Sequence, residues 1–360
     1  MINVTRTFLP DPDEYMRILK RAWDKRWITN NGELLQELEQ KLKSFLGLDH
    51  FLFCGNGTIV LQMALKAIGK SGDVITTPFS YVATTNAIIW EQFRPVFVDI
   101  HSSDLNVDAD KIEASITENT VAILVTHVFG NPCDVDKIED IAKRYNLVVI
   151  YDGAHAFGVK YRGRGLLSYG DFATCSFHAT KLFHTVEGGS ISVNHEKWRE
   201  KIYLFRQFGH IYDEYFSEGV NGKNSEFHAA MGLSILPHME EIMTARKEIC
   251  EAYDHGLAGL NISKPIPREG TEPNNGYYPV LFESEEKLLQ VAEALKSKQI
   301  SGRRYFYPSL NELPYLQEKQ PCPVSEDLSR RVYCLPLYPG LDKESIDIIC
   351  NTIHETIAKS

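Results

Sequence analysis

The sequence predicts an α/β fold: a mostly parallel central sheet with helices on both faces, followed by a smaller C-terminal α+β domain. Two observations predict it. Between residues 51 and 193, short apolar runs alternate with segments of helical period, and Val121–Thr126 and Leu147–Asp152 are apolar almost throughout. Strands covered on both faces by crossover helices read this way. Beyond residue 240 the order changes to a long helix, then strand, helix and strand. The expected division is 1–240, an N-terminal arm with the large domain, and 241–360, the small domain. A chain of 360 residues is long enough for two cores.

Residues 1–32 read as an arm and a first helix, with Trp23 and Trp27 as apolar anchors and Asn30-Asn31-Gly32 as a turn. Leu34, Leu35, Leu38, Leu42, Phe45 and Leu46 recur at helical spacing, and Gly47 ends that helix. Phe51–Cys54 is a short strand. A glycine turn follows, and a helix opens at Gly57-Thr58. Strands at 73–78, 95–100, 121–126 and 147–152 then alternate with helices at 80–90, 108–115 and 134–145. Phe172–Phe177 and Ser190–Val193 are strands flanking a segment that carries Lys181. Residues 195–207 read as a helix, 209–224 as a long polar loop, and 225–255 as one long helix. A strand at 276–282, a helix at 285–298, a strand at 300–306 and a terminal helix at 342–358 complete the chain.

Composition narrows the function. The net charge of -10 argues against broad binding to a nucleic-acid backbone, while leaving room for a local anion site. No apolar run is long enough to span a bilayer and the N-terminus has no signal-peptide pattern, so the expected compartment is the cytoplasm. The seven cysteines are scattered without zinc-ribbon spacing and read as buried free thiols. The histidines form no metal-ligand pattern, and no metal is expected.

Four features point to one cofactor. Lys181, between two buried strands, is placed to be desolvated, which lowers the pKa of an amine and makes it a nucleophile able to form an imine. Gly57-Thr58 at a helix start, with Ser176, can hold a phosphate. Asp152, at the carboxyl end of a strand, can pair with a ring nitrogen, and Tyr81 can lie flat on an aromatic ring. Pyridoxal phosphate needs all four groups. Each has a plainer alternative. Lys181 reads equally as a loop lysine, Thr58 or Asn56 as an ordinary N-cap, and Asp152 as another cap. Tyr81 reads as a core aromatic, Ser176 as bonded to local backbone and His155 as a structural histidine. The conjunction, in this chain order on this fold class, favours the cofactor.

With those residues in view, the chain resembles the DegT/DnrJ/EryC1/StrS nucleotide-sugar aminotransferases, fold-type I pyridoxal phosphate enzymes. The most specific piece is Ser176-Phe-His-Ala-Thr-Lys181 followed by Glu187-Gly-Gly189. The resemblance implies that Lys181 is the Schiff-base lysine and general acid/base. It implies that Asp152 meets the pyridine nitrogen, His155 the ring hydroxyl and Tyr81 the ring face, and that Gly57, Thr58 and Ser176 hold the phosphate. The segment Gly219–Ala230 resembles a family motif whose asparagine reaches the neighbouring subunit's phosphate. That implies a homodimer with shared active sites and makes Asn221 a cross-dimer ligand. Gly222, Lys223 and His228 depart from the usual tyrosine, arginine and glutamine. His184, Lys223, Arg303, Tyr305 and Tyr307 are candidates for substrate contact; neither His178 nor His184 receives a catalytic role. Retention of Lys181, where dehydratase members carry histidine, implies transamination between glutamate/2-oxoglutarate and a nucleotide-sugar. The implied product is dTDP-4-amino-4,6-dideoxy-D-glucose, made for O-antigen or other aminosugar biosynthesis. A galactose-configured C4 product, a 3-ketosugar substrate and a catalytically silent regulatory protein are the alternatives.

Overall fold

The computed structural model describes residues 1–358; Lys359 and Ser360, the end of the expected small domain, lie outside the described residues. Helices α1 (Pro12–Lys25) and α2 (Glu33–Leu46) precede strand β1 (Phe51–Cys54). Helix α3 (Gly57–Ala67), β2 (Asp73–Thr76), α4 (Val82–Trp90), β3 (Arg94–Phe97) and α5 (Ala109–Ile112) follow. Next come β4 (Thr120–Thr126), α6 (Val135–Tyr145) and β5 (Val148–Asp152), then the two-residue strands β6 (Lys160–Tyr161) and β7 (Arg164–Gly165). Strands β8 (Phe172–Ser176) and β9 (Gly189–Val193) flank the Lys181 segment. Helix α7 (Arg199–Arg206) and the short hairpin β10 (His210–Ile211) and β11 (Glu214–Tyr215) lead to α8 (Glu226–Ile235) and α9 (Met239–Gly256). The remainder is β12 (Thr271–Glu272), β13 (Pro279–Leu281), α10 (Glu285–Ser297), α11 (Pro323–Arg331), β14 (Val332–Cys334) and α12 (Lys343–Ala358).

The central sheet runs β1-β9-β8-β5-β4-β2-β3. The four pairings from β8 to β3 are parallel, and β9 is antiparallel to both β8 and β1. Successive strand side chains point to opposite faces, and here they sort into two cores. Phe51, Phe53, Ile123, Val125, Val149, Tyr151, Ala173 and Cys175 join one core with residues of α1, α2, α6 and α8. Leu52, Cys54, Ala122, Leu124, Ile150, Phe172, Ile191 and Val193 join the other with residues of α3, α4 and α7. The sheet is therefore covered on both faces. A third core draws on α9, α10, α12 and β13. No helix among the described residues is long and apolar enough to cross a membrane.

Helix starts follow side-chain capping. Asp11, Asn56, Asp134 and Ser284 each accept a backbone N–H of the first turn that follows. Helix α2 begins at Gly32 without a cap of its own, and the buried Glu226 carboxylate supplies it, accepting from Leu34 N at 2.8 Å and Leu35 N at 3.0 Å.

Four expectations are corrected. Trp23 and Trp27 are 65% and 56% exposed; the buried face of α1 is Ile18, Leu19 and Ala22. The helix expected at 225–255 is interrupted by a 3-10 turn at Leu236–His238, because Pro237 lacks the N–H that an α-helix interior requires. The loop at 209–224 contains the β10–β11 hairpin. Residues 300–306 form no strand, only isolated bridges from Ile300 to Ile2 and from Arg303 to Cys334.

Candidate active site

A cavity of about 300 Å³ opens where strands β1, β8, β5 and β4 end. Ligands of parallel sheets gather there, since the chain turns from strand to helix at that edge. Gly57, Thr58, Tyr81, Asp152, His155, Ser176, Lys181, Arg303 and Tyr305 all line it. Sheet order spreads them. Gly57-Thr58 follows β1, Ser176 ends β8, and Asp152 ends the neighbouring β5.

The β1 turn and Ser176 are drawn together by glycines. A Cβ on Gly57 would stand 2.9 Å from Ser176 Cβ, and one on Gly189 would stand 2.4 Å from the Asn56 carbonyl. Asn56 is the N-cap of α3, its Oδ1 accepting from Thr58 N and Ile59 N. That leaves the hydroxyls of Thr58 and Ser176 without a partner among the described residues, beside the positive end of the α3 dipole.

Asp152 is buried. Its Oδ2 accepts from Thr84 Oγ1 at 2.7 Å and its Oδ1 from Ala154 N at 3.0 Å. No helix begins after it, so it is not a helix cap. Tyr81 is 54% exposed and belongs to no core.

His155 is enclosed by rings, parallel to Phe129 at 6.0 Å and to Phe306 at 5.5 Å. Its Nδ1 accepts the Phe129 N–H at 3.2 Å, which puts the ring proton on Nε2. Burial, helped by the Lys181 charge, holds its pKa well below the usual imidazole range. Phe129 presents that N–H from a left-handed backbone, φ 54°, a strained conformation for an aromatic residue.

Lys181 Nζ donates to Tyr277 Oη at 3.2 Å. Burial pushes the amine's pKa down, as the sequence suggests. The Tyr277 oxygen, Asp152 and Tyr305 push it up, and the net direction is upward. The expected lowering is thus outweighed. Tyr277 reaches the site on a loop pinned by Asn274, whose Nδ2 donates to His155 O at 2.9 Å and Phe157 O at 2.8 Å.

Four expected residues lie outside this cavity. His184 is buried, with Val186 N donating to its Nδ1 and its Nε2 bonded to Phe8 O at 2.7 Å, so it fastens the N-terminal arm. Lys223 Nζ lies over the Phe208 ring at 4.6 Å. Tyr307 is exposed beneath the Arg304 guanidinium. Asn221 is exposed and bridges to Gln207. Its neighbour Asn224 is the buried one, tying Cys54 O to Glu187 O. His178 lines the mouth, 2.8 Å from Thr180 Oγ1. Sequence reasoning missed Tyr277, Phe129 and Phe306. The Asn274-Asn-Gly276 turn signal was available for the first, and the candidates Tyr305 and Tyr307 flank Phe306; nothing local marks Phe129.

The model of the DegT/DnrJ/EryC1/StrS aminotransferase family matches residues 11–354. The chain belongs to this family. Within it, the chain is 41% identical over 361 residues to the dTDP-4-amino-4,6-dideoxy-D-glucose transaminase of Shigella dysenteriae, covering 98% of each chain. It is 39% identical to the Escherichia coli protein of the same name, covering 96% of each. The GDP-perosamine synthase of Escherichia coli O157:H7 is 32% identical over 92% of each. Among solved structures, DesI in the presence of its TDP-sugar product superposes with a TM-score of 0.94 at 30% identity, over 99% of this chain and 93% of that one. Helicobacter pylori PseC, an aminotransferase involved in the biosynthesis of pseudoaminic acid, gives 0.91 at 25% identity over the full length of both.

Proposed function

We infer that the chain is a pyridoxal-phosphate-dependent transaminase that moves the amino group of L-glutamate to C4 of dTDP-4-keto-6-deoxy-D-glucose, giving 2-oxoglutarate and dTDP-4-amino-4,6-dideoxy-D-glucose. The observation that carries this is Lys181 in one cavity with Asp152, His155 and the Gly57-Thr58-Ser176 cradle. Full-length identity to two transaminases named for that product supports the sugar.

The residues present fit the cofactor. A helix N-terminus with two unpartnered hydroxyls suits a phosphate, and the two glycines leave open a cradle that Cβ atoms would fill. A buried carboxylate is an acceptor matched to a protonated ring nitrogen. Neutral His155 offers an N–H without a charge. When bound, pyridoxal phosphate supplies an electron-poor ring that accepts the electron pair left as a C–H bond breaks. Lys181 is the proton carrier. As the free amine it takes the Cα proton of glutamate; as ammonium it delivers a proton to C4 of the sugar. Tyr277, accepting from Lys181, steadies the charged form each time the amine carries a proton. Tyr81 stands exposed at the cavity, where it can cover a ring face, and Arg303 and Tyr305 are assigned to the substrate.

A second copy of the chain completes the site in this reading. Asn221 is exposed and outside its own chain's cavity, which suits a contact to a partner. The reading keeps the division near residue 240 and a cytoplasmic reaction.

The test is reconstitution with pyridoxal phosphate. A yellow protein bleached by borohydride is expected, along with a Lys181→Ala variant that does not react. Glutamate with a panel of dTDP-, UDP- and GDP-ketosugars then identifies the product by NMR. No bound chromophore would overturn the reading. A galactose-configured or 3-amino product would replace the sugar and keep the transamination. A coloured protein inert toward every ketosugar would favour a silent regulatory role.

A further inference from the structure

Three hydroxyls stand in line behind Asp152. Ser80 Oγ is 2.7 Å from Thr126 Oγ1 and 2.7 Å from Thr84 Oγ1, and Thr84 Oγ1 is 2.7 Å from Asp152 Oδ2. Ser80, Thr84 and Thr126 are each 0–1% exposed, so water does not compete for these bonds. The three arrive from separate places: Thr126 ends β4 and faces Asp152 in the β4–β5 register, Ser80 lies between β2 and α4, and Thr84 is in the first turn of α4.

Proton counting gives the line a direction. A hydroxyl has one proton to donate, and an ionised carboxylate has none. The Thr84 proton goes to Asp152, so Thr84 can only accept from Ser80. The Ser80 proton is then committed to Thr84, and Thr126 must donate to Ser80. The order Thr126 to Ser80 to Thr84 to Asp152 is the only one that satisfies a charged Asp152. Hydrogen bonds in such a series polarise one another, most effectively away from solvent. The other carboxylate oxygen is held independently by the Ala154 N–H.

We propose that Thr84, Ser80 and Thr126 are positioning residues, a one-way hydroxyl relay that aims the Asp152 carboxylate and supports its charge. The proposal rests on the reading of Asp152 as the partner of the cofactor's ring nitrogen. Thr84 acts directly; Ser80 and Thr126, which also line the cavity, act on the carboxylate through it. Thr84 is the necessary link because it alone of the three is hydrogen-bonded to the Asp152 carboxylate.

The experiment measures pyridoxal phosphate affinity by absorbance titration, together with the pH midpoint of the bound cofactor's visible band. Variants are Thr84→Val, Ser80→Ala, Thr126→Val, the double Thr84→Val/Ser80→Ala, and Thr84→Ser. Circular dichroism checks that each is folded. Thr84→Val is expected to weaken cofactor binding about tenfold, the scale of a lost bond to a charged group, and to move the band midpoint. Ser80→Ala moves both in the same direction by less. The double variant is no worse than Thr84→Val alone, since Ser80 has nothing left to act through. Thr84→Ser restores both readouts and keeps the test available if the valine variant does not fold. Additive losses in the double variant would overturn the relay. So would unchanged affinity and unchanged band midpoint in both Thr84→Val and Ser80→Ala while Asp152→Asn alters them. If Asp152→Asn alters neither, the reading of Asp152 falls, and the relay's role falls with it.

Discussion

Acidification offers a quantitative test of the floor beneath Asp152. His127 follows β4 directly, and its N–H donates to the Asp152 carbonyl at 3.1 Å. Its ring is fully buried, stacks on Tyr151 at 4.4 Å, and takes the Cys133 N–H on Nδ1 at 3.1 Å. Burial holds its pKa at about 3, against roughly 6.5 for a solvated imidazole. Between those values the unfolded chain binds one proton more than the folded chain, so stability falls as pH falls. The contribution is intact above the unfolded pKa. At pH 5, one and a half units below it, the loss is about 2 kcal/mol at ~1.4 kcal/mol per unit. His127→Asn isolates this loss, because an amide oxygen can replace Nδ1 as acceptor and does not titrate. Urea unfolding of both proteins at pH 7.5 and pH 5 is the assay. The parent is expected to lose about 2 kcal/mol more than the variant over that interval. Equal losses in the two proteins would refute the assignment of a neutral, desolvated His127.

Other perturbations probe the site and its supports. Tyr277→Phe removes the strongest influence raising the Lys181 amine, so its pKa falls and the acid limb of the kcat–pH profile moves to lower pH; an unmoved profile would remove Tyr277 from the proton path. Gly189→Ala places a Cβ 2.4 Å from the Asn56 backbone, and a cost of about 1–3 kcal/mol is expected from overpacking, with weakened cofactor affinity because Asn56 caps α3. Thermal unfolding and absorbance titration read the two effects. Glu226→Ala leaves the Leu34 and Leu35 N–H donors in the first turn of α2 uncapped and is expected to lower stability by about 2 kcal/mol, read by urea unfolding.

The fold is legible in the sequence wherever burial is continuous. Val121–Thr126 and Leu147–Asp152 read as buried strands because both their faces are covered, and the helices between them carry a clear period. The segments that escaped notice have no period to detect. Strands β6, β7, β10, β11 and β12 are each two residues long, and β12 finds its partner β6 from a distant part of the chain. Pro237 was a visible break signal inside the apparent 225–255 helix, obscured by the strong pattern on either side. The site divides along the same line. Lys181, Asp152, Ser176 and Gly57-Thr58 sit at the ends of regular elements, where position follows from the fold. Tyr277 and Phe306 arrive on irregular loops, and Phe129 does so through an unusual backbone angle. The direction of the Lys181 shift depends on such neighbours, which local sequence does not reveal.

The antiparallel β9 bears on how often the enzyme can turn over. Ser176 and Gly189 are opposite one another in the β8–β9 ladder, and Phe177 N–H closes onto Gly188 O at 2.8 Å. Residues 177–188 are therefore a leash with both feet stapled to the same edge of the sheet. In the proposed cycle the Lys181 amine lets go in one half and comes back in the other. On this leash the return is a search over the few torsions of one side chain, at an effective concentration fixed by covalent reach. The amine's homecoming then requires no movement of the backbone that carries it.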